Sequence, residues 1–400
     1  MILSPTPDVR LDLIRVGTAI RKSPDILRAY LAHLHNQRIP PGCRVEYHFI
    51  LDTDDAEAKA LVHEFVKEHG GLVEEAENSP KDDFADDHPI THQWTTGAMA
   101  RVGQLKNRIL QKASHDAAEA VWFVDADLLC DSGTLRSLWF AQKPVVNAVF
   151  WTRWTPEAPA LPQVWLKHPY ELSGRGYPDE AAFRRQLMSR ELTQVWGGGA
   201  CVLIRRSVIE AGVSYAYVPG VSTEGMMGGE DRHFCIRCES LHIPMYADPW
   251  PHIAHIYHPT DRQHLPEAEE MVGKASIEGM VLTPEWMNLV LKLLEPIQTG
   301  PASWVNPDPV NVRVRVGKGE ILPDLEKQCL EHREGETFIA EVYFPRSWPV
   351  AALREKRRLM EVTVVDVKSG APFPVLNDDL PKGYDLLDYT PEQMQGVVNV

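Results

Sequence analysis

Apolar segments alternate with amphipathic ones from residue 11 to residue 127, and this alternation restricts the chain to a layered α/β fold. Three apolar segments read as buried strands, and they cover residues 13–20, 45–52 and 120–127. Helical spacing of apolar residues is found over residues 24–35, 54–68 and 99–117. Strands and helices that alternate at this length predict a mostly parallel sheet covered by helices on both faces. Ligands of such sheets collect at the carboxyl ends of the strands.

The charge of the chain limits its partners. With 56 acidic and 41 basic side chains among 400 residues, the formal net charge is −15. This field would repel a phosphate backbone, so we expect no nucleic-acid partner. Carboxylates gathered in one cleft can still hold a divalent cation, which would bridge to an anionic substrate.

Targeting and redox signals are weak. The sequence contains no apolar window of the about 20 residues that a membrane-spanning helix requires, and its N-terminus does not resemble a signal peptide. We therefore expect a cytoplasmic protein without a transmembrane segment. Six cysteines are scattered along the chain. Cys235 and Cys238 have the spacing of a zinc pair, but their helical context favours core packing.

Changes in composition suggest the domain organisation. Residues 297–310 are rich in Pro, Gly and Asn and read as a linker. We predict a catalytic domain over 1–296, a small β-rich domain over 311–376 and a C-terminal tail over 377–400. Within the first domain, the acidic and irregular segment 73–98 reads as a surface loop.

The strongest local signal is Asp125-Ala126-Asp127, at the end of an apolar strand. Two carboxylates one residue apart, where a strand opens into a loop, can converge on one hard cation such as Mg²⁺ or Mn²⁺. The simpler interpretation is a strand end followed by a helix cap. The position after a hydrophobic strand favours the metal interpretation.

A second signal is the turn that leads into Glu230 and Asp231, followed by a helical pattern. These acids fall on the first helical turn, where unpaired N–H groups favour negative charge. They can serve only as helix caps, or one of them can be a general base that takes a proton from an acceptor hydroxyl. The residues alone leave both interpretations open.

Two further features accompany these acids. His255 lies on a short predicted strand and can complete a metal site through a neutral imidazole, with His258 as the second choice. Trp196 precedes a run of three glycines, Gly197, Gly198 and Gly199, which would allow close approach of a ligand to the backbone. A bulge beside a core tryptophan explains the run equally well.

Taken in order, these motifs resemble a nucleotide-sugar glycosyltransferase of the GT-A fold, and they are most similar to glycosyltransferase family 2. The pattern runs from the Asp125–Asp127 strand through the glycine run and the Glu230-Asp231 helix to His255, and it covers about residues 11–290. The resemblance implies a mixed, mostly parallel α/β sheet flanked by helices. We expect a small β-rich (α+β) domain to follow it toward the C-terminus.

The resemblance also implies roles for individual residues. Asp231 matches the catalytic base and Glu230 a supporting acid, whereas Asp127, Asp125 and His255 match the ligands of Mn²⁺ or Mg²⁺. The implied donor contacts are Thr18, Ala19, Arg21, Asp52, Asp54, Arg101, Asn107, Asp125, Ala126 and Asp127. The implied acceptor contacts are Trp196, Gly197, Gly198 and Gly199.

The implied reaction is displacement with inversion, in which Asp231 deprotonates an acceptor hydroxyl and a nucleoside diphosphate departs. The second strand ends in Phe-Ile-Leu-Asp-Thr-Asp-Asp in place of the family's shorter acidic turn, so UDP- and GDP-linked donors both stay open. The acceptor can be a glycan, a small molecule or a polypeptide. The alternatives are a nucleotidyltransferase acting on sugar phosphates and a non-catalytic peptide-binding module.

A second resemblance covers residues 317–348 and 359–368, which are similar to the FKBP-like domain of trigger factor. A glycine-flanked entry, a short helix and a closing strand follow in order, whereas earlier strands are not recognised. Ile321, Leu322 and Trp348 would supply parts of an apolar pocket. We expect a binding or structural module, because the same residues can equally be the core of a small sheet packed on a helix.

Overall fold

The computed structural model describes most of the chain. The described residues are 11–77, 95–152, 160–165, 187, 192–221, 229–278, 286–300, 303–316, 318–330, 332 and 334–368. Two compact units divide the chain, and the second consists of Phe140–Gln142 and Ala275–Pro372. Most of the predicted acidic loop and the predicted tail over 377–400 lie outside the described residues.

The first unit contains fourteen strands and eight helices among the described residues. Its strands are β1 (Asp12–Ile20), β2 (Cys43–Leu51), β3 (Gly71–Glu75), β4 (Ala120–Val124), β5 (Leu128–Cys130), β6 (Val145–Ala148), β7 (Trp151–Thr152), β8 (Leu161–Pro162), β9 (Val164–Trp165), β10 (Thr193–Val195), β11 (Gly197–Gly198), β12 (Cys201–Arg205), β13 (Met245–Asp248) and β14 (Ile253–His255). Its helices are α1 (Pro24–His35), α2 (Ala56–His69), α3 (Thr96–His115), α4 (Thr134–Phe140), α5 (Arg206–Glu210), α6 (Glu230–Ser240), α7 (Pro259–Gln263) and α8 (Leu265–Glu278).

Eight of these strands form one mixed sheet, in the order β10-β13-β6-β12-β4-β1-β2-β3. The pairs β1–β2, β1–β4, β2–β3 and β6–β13 are parallel, whereas β12 runs antiparallel to both of its neighbours. Every residue of β4 is buried, which explains its uninterrupted apolar sequence. The predicted α/β architecture with a mostly parallel central sheet is confirmed.

Side-chain caps decide where the helices begin. Asp55 accepts hydrogen bonds from the backbone N–H groups of Glu57 and Ala58, each at 2.9 Å, so α2 begins at Ala56 and not at the predicted Asp54. The Thr95 hydroxyl accepts from the N–H of Ala98 at 3.1 Å, and α3 therefore begins before the predicted residue 99. The predicted helix over 24–35 is confirmed, with Pro24 in its first turn.

The second unit is built on a four-stranded antiparallel sheet in the order β18-β15-β20-β19. Its elements are β15 (Trp286–Leu293), β16 (Ile297–Gly300), β17 (Ser303–Val305), β18 (Val310–Arg315), α9 (Pro323–Cys329), β19 (Thr337–Phe344), a 3₁₀ turn (Ala351–Leu353) and β20 (Lys356–Lys368). Leu325 and Cys329 of α9 are buried in the hydrophobic cluster of this sheet.

The two compact units differ in extent from the predicted domains, whose boundaries stay a prediction. The sequence predicts a catalytic domain up to residue 296, but β15 pairs with β18 and β20, and the unit begins at Ala275. The predicted linker over 297–310 holds the β16–β17 hairpin. Pro and Gly mark turns as well as linkers, and composition alone cannot separate the two cases.

The extra strands also extend the segment that resembles the FKBP-like domain. The sequence recognises only the helix and the strands after it, whereas β15 and β18 lie in the same sheet as β19 and β20. Ile321, Leu322 and Trp348 are partly buried and pack against the core of this unit. Their packing agrees with the expectation of a small sheet on a helix. Within the described residues, no helix is both long enough and apolar enough to cross a membrane.

Candidate active site

The predicted acidic pair lies at the carboxyl end of β4, in the middle of the eight-stranded sheet. The backbone N–H of Asp125 donates to the carbonyl of Ala200 at 2.8 Å, and the N–H of Leu128 donates back to the carbonyl of Asp125 at 3.1 Å. Asp125 is half-buried, whereas Ala126 and Asp127 are buried. The chain therefore turns sharply after β4 and holds both carboxylates at the strand end.

Asp127 and His255 are brought together as predicted. Nε2 of His255 lies 3.6 Å from Oδ2 of Asp127, because β14 pairs with β5 and places His255 opposite Leu128. On its other side, the His255 ring places Nδ1 2.8 Å from the hydroxyl of Thr152. This second contact fixes the ring so that Nε2 faces the carboxylate.

A lysine also contacts the carboxylate of Asp127. Nζ of Lys22, which follows β1, lies 2.6 Å from Oδ2 of Asp127. Burial by itself would raise the pKa of Asp127, but Lys22 and His255 hold this pKa well below its usual range. Asp127 is therefore an ionised carboxylate at the bottom of the site, and it already attracts positive charge.

The donor atoms at Asp127 fit a cation that a substrate helps to bind. The described part of the chain holds no group of three His, Cys, Asp or Glu side chains arranged as a metal site. Mg²⁺ and related ions are often bound by one or two carboxylates together with substrate phosphates, and Asp127 with His255 offers such an ion one carboxylate and one imidazole. His258, the second choice, instead caps α7, where its side chain and that of Asp261 form a capping box.

Asp231 and Glu230 open α6, as predicted, and both contact Lys106 of α3. Nζ of Lys106 lies 2.8 Å from Oε1 of Glu230 and 2.8 Å from Oδ1 of Asp231. Burial raises the pKa of Asp231 to about 6, while Lys106 opposes this rise and Glu230 adds to it. Burial also raises the pKa of Asp125 to about 7, against the attraction of Lys106.

The glycine run lies directly under Asp231. A Cβ atom at Gly199 would stand 2.0 Å from Oδ2 of Asp231, and one at Gly197 would stand 2.4 Å from the ring of Trp165. Gly197, Gly198 and Gly199 are all buried, whereas Trp196 is half-buried. The packing of Asp231 thus accounts for Gly199, and the predicted acceptor contacts of this run stay a prediction.

Asp52 and Arg101 form an ion pair at the end of β2. Nε of Arg101 lies 3.0 Å from both carboxylate oxygens of Asp52, and its terminal nitrogen lies 2.7 Å from Oδ1. Ala19 and Arg21, after the neighbouring strand, are half-buried, and Asp54 is exposed. These predicted donor contacts therefore lie at the carboxyl ends of β1 and β2, beside the Asp125–Asp127 turn.

Two predicted donor contacts, Thr18 and Asn107, form hydrogen bonds within the protein. Thr18 is buried, and its hydroxyl bonds the hydroxyl of Tyr30 and the carbonyl of Val124. Oδ1 of Asn107 accepts a hydrogen bond from the backbone N–H of Tyr215 at 2.7 Å. Thr18 therefore lies in the core, and the side chain of Asn107 binds the backbone at Tyr215.

Sequence reasoning missed three residues of the site: Lys22, Lys106 and Thr152. Lys106 carried a signal, because it falls on the apolar face of α3 with Ile109, Leu110 and Ala113. A charged side chain on such a face needs a buried partner. Lys22 lies in a short polar stretch and Thr152 follows the aromatic residues Phe150 and Trp151, and no local pattern distinguishes either residue.

The two cysteines of α6 pack in the core. Cys235 and Cys238 are buried with free thiols, and Sγ of Cys235 lies 3.7 Å from the carbonyl of Gly198. Burial raises the pKa of Cys235 to about 12 and raises that of Cys238 well above its usual range. Both thiols stay protonated, in agreement with the core-packing interpretation.

Comparison with known sequences finds partial matches to trigger factors, and no family model matches the chain. The trigger factor of Zymomonas mobilis subsp. mobilis is 31% identical over 106 residues, which are 26% of this chain and 20% of that protein. The trigger factor of Rhodospirillum rubrum is 35% identical over 71 residues, which are 18% of this chain and 16% of that protein. The chain thus spans at most about a fifth of these relatives.

Solved structures with a distant likeness include three proteins. S. aureus TarS 1–349 is 14% identical, with 65% of this chain and 64% of that chain covered and a TM-score of 0.36. Mannosyltransferase PcManGT from Pyrobaculum calidifontis, in complex with GDP-Man and Mn²⁺, is 13% identical over 61% and 59%, with a TM-score of 0.35. GalNAc-T7 with UDP, GalNAc and Mn²⁺ is 16% identical over 63% and 45%, with a TM-score of 0.41.

Proposed function

We propose that this chain is a glycosyltransferase that moves a sugar from a nucleoside diphosphate sugar to a hydroxyl acceptor with inversion. One observation carries the proposal. Asp125 is hydrogen-bonded through its backbone to Ala200, and the adjacent Gly199 lies in contact with Asp231. A strand-end acid pair and a helix-start acid therefore share one edge of the sheet, where α/β proteins bind ligands.

Asp127 and His255 would hold Mn²⁺ or Mg²⁺, with Asp125 closer to the ribose of the donor. When bound, such an ion supplies positive charge to the departing diphosphate. Thr152 keeps His255 directed at Asp127. Arg101 and Asp52, together with Arg21 and Ala19, lie where the nucleoside would be received.

Asp231 acts as the general base. Its carboxylate has a raised pKa of about 6, which matches a group that must take a proton near neutral pH. It accepts the proton of the acceptor hydroxyl, whose oxygen attacks the anomeric carbon from the face opposite the diphosphate. The configuration at that carbon inverts.

A nucleotide-sugar panel tests this proposal. UDP- and GDP-linked sugars are incubated with the full chain and Mn²⁺, and release of UDP or GDP is measured for the wild type, Asp127→Ala and Asp231→Asn. We expect release from one donor, loss in Asp127→Ala and slowing by about 10²-fold or more in Asp231→Asn. Glu57→Gln, at an exposed surface pair with Arg28, is the matched control and keeps wild-type release. Failure of every donor to turn over contradicts the proposal.

One observation favours a second candidate. A basic residue directly after the first strand is expected of a nucleotidyltransferase acting on sugar phosphates, and Lys22 stands there in contact with Asp127. The same assay separates the two reactions. A nucleotidyltransferase would form a sugar nucleotide and pyrophosphate from a nucleoside triphosphate and a sugar phosphate, and it would release no diphosphate from a sugar nucleotide.

For the second unit we propose a binding or structural role. Its helix-on-sheet arrangement accounts for the apolar side chains of Ile321, Leu322 and Trp348 as packing residues. The partial likeness of the chain to trigger factors supports a module that binds polypeptide, and it mildly favours a polypeptide acceptor. Addition of an unfolded protein to the panel should then increase diphosphate release, and unchanged release would argue against this acceptor.

A further inference from the structure

Lys106 is the most enclosed member of its cluster with Glu230 and Asp231. It projects from the apolar face of α3, and its side chain is 3% exposed, compared with 9% for Glu230 and 22% for Asp231. Its Nζ bonds one oxygen of each carboxylate at 2.8 Å. Because a lysine is almost never buried unless it is paired, these two acids are what allow Lys106 to stand there.

Several other groups face this ion pair. The Tyr215 ring lies under the ammonium, with its centroid 5.1 Å from Nζ, and its hydroxyl has no hydrogen-bond partner among the described residues. Asp125 acts electrostatically on Lys106, and Cys235 lies on the same helix as Asp231. Three carboxylates and one ammonium therefore share this pocket, and the ammonium bonds two of these carboxylates.

Backbone contacts close the pocket from both sides. A Cβ at Gly103, one turn before Lys106 on α3, would stand 2.8 Å from the carbonyl of Tyr215 and 3.1 Å from Cβ of Glu230. On the opposite side, Gly199 leaves no space for the Asp231 carboxylate to move away. Asp231 is thus confined between the glycine run and the lysine.

We propose that Lys106 is a positioning residue: it holds the Asp231 carboxylate in one orientation and keeps it ionised, while Glu230 balances the charge of the lysine. This inference rests on the proposed role of Asp231 as the base. One oxygen of Asp231 is bound to Lys106, which leaves the other to accept the proton of the acceptor. Glu230 then acts through Lys106 and need not contact the substrate.

The first test compares Lys106→Met and Lys106→Gln with the wild type over pH 5–9. Without the ammonium, burial and the nearby Glu230 and Asp125 raise the pKa of Asp231 further. We expect the acidic limb of kcat to move up by about one pH unit or more and kcat at neutral pH to fall about tenfold or more, with the donor KM unchanged. Lys112→Met is the matched control on the same helix, because Lys112 pairs with Asp116 away from the site.

The second test does not depend on turnover. Thermal unfolding of the wild type and of Lys106→Met is followed from pH 5 to pH 8. Uncompensated carboxylates repel each other only when ionised, so the loss of Tm should grow with pH and reach about 10 °C at pH 8. Adding Glu230→Gln to Lys106→Met removes one of the repelling charges and should recover part of this loss.

The two experiments test the proposed function and the role of Lys106 separately. A wild type without any donor turnover contradicts the proposed function, whereas the unfolding experiment still tests the charge role of Lys106. A Tm loss that is the same at every pH, or an acidic limb that does not move in an active Lys106→Gln variant, overturns the inference. Either result would mean that Lys106 contributes to packing and does not position the Asp231 carboxylate.

Discussion

Nζ of Lys22 lies 2.6 Å from Oδ2 of Asp127, and Nε2 of His255 lies 3.6 Å from the same oxygen. The carboxylate that would hold a divalent cation is therefore already paired with a protein cation. A metal ion bound as proposed would compete with Lys22 for this oxygen, since both would be attracted by one negative charge.

Removal of the competing ammonium should strengthen metal binding. We expect Lys22→Met to bind Mn²⁺ in the presence of UDP about tenfold more tightly than the wild type, which corresponds to about 1.4 kcal/mol. Electron paramagnetic resonance of free Mn²⁺ measures this affinity without turnover. Lys59→Met, which breaks a surface pair with Glu75, should leave the affinity unchanged. Equal affinities in Lys22→Met and the wild type would contradict the competition.

A methyl group at Gly199 should displace the base. The new Cβ would stand 2.0 Å from Oδ2 of Asp231, so α6 or the glycine run must move. We expect Gly199→Ala to lower the free energy of unfolding by about 1–3 kcal/mol, as overpacking does, and to reduce diphosphate release more strongly than donor affinity. Gly273→Ala is the control, because a Cβ there meets nothing within 4 Å. A fully active Gly199→Ala variant would contradict the assignment of Asp231 as the base.

The pH dependence of turnover should report Asp231. Its folded-state pKa of about 6 is raised above the ordinary value of 3.8, so the carboxyl is protonated below that value and cannot accept a proton. The kcat should therefore rise with pH through about 6 and then level off. Asp231→Asn should lose this limb together with most of the activity, as measured under donor saturation. The same limb in the residual activity of Asp231→Asn would assign it to another group.

The raised pKa of Asp231 also has a consequence for stability. Since the folded state holds this proton more tightly than the unfolded chain, the contribution of the group to stability falls as pH rises from about 4 to about 6. Asp231→Asn cannot ionise and should remove this part of the pH dependence. Chemical unfolding of both proteins at pH 4.5 and pH 7 would show a difference between them that grows with pH. A constant difference would contradict the raised pKa.

Thr18 and Arg101 should behave differently, although both were predicted as donor contacts. The Thr18 hydroxyl is bonded within the core, so Thr18→Val should cost about 1–3 kcal/mol of stability and leave the donor KM unchanged. Arg101→Ala leaves the buried Asp52 carboxylate without the guanidinium that binds it and should raise the donor KM as well. Steady-state kinetics with the best donor, beside thermal unfolding, separate the two effects. An unchanged donor KM in Arg101→Ala would contradict a role for this pair in donor binding.

Local patterns were sufficient for much of the first unit. The apolar run of β4 predicts a buried central strand, and its end predicts the position of Asp125 and Asp127, because a strand covered on both faces must be apolar throughout. The start of α6 at Glu230 also follows from local chemistry. The predicted boundary at residue 296 differed from the unit whose main segment begins at Ala275, because the mostly apolar sequence of β15 fits a strand of either unit.

The sequence by itself therefore determined the α/β class, the strand-end acids and the helix-start acids, since periodicity and caps depend on neighbours in the chain. Only the tertiary structure decided which charges meet. Lys106 and Glu230 are 124 residues apart in sequence, and Lys22 meets Asp127 only because β1 lies beside β4. Sheet order sets such contacts, and it depends on the packing of all the strands together.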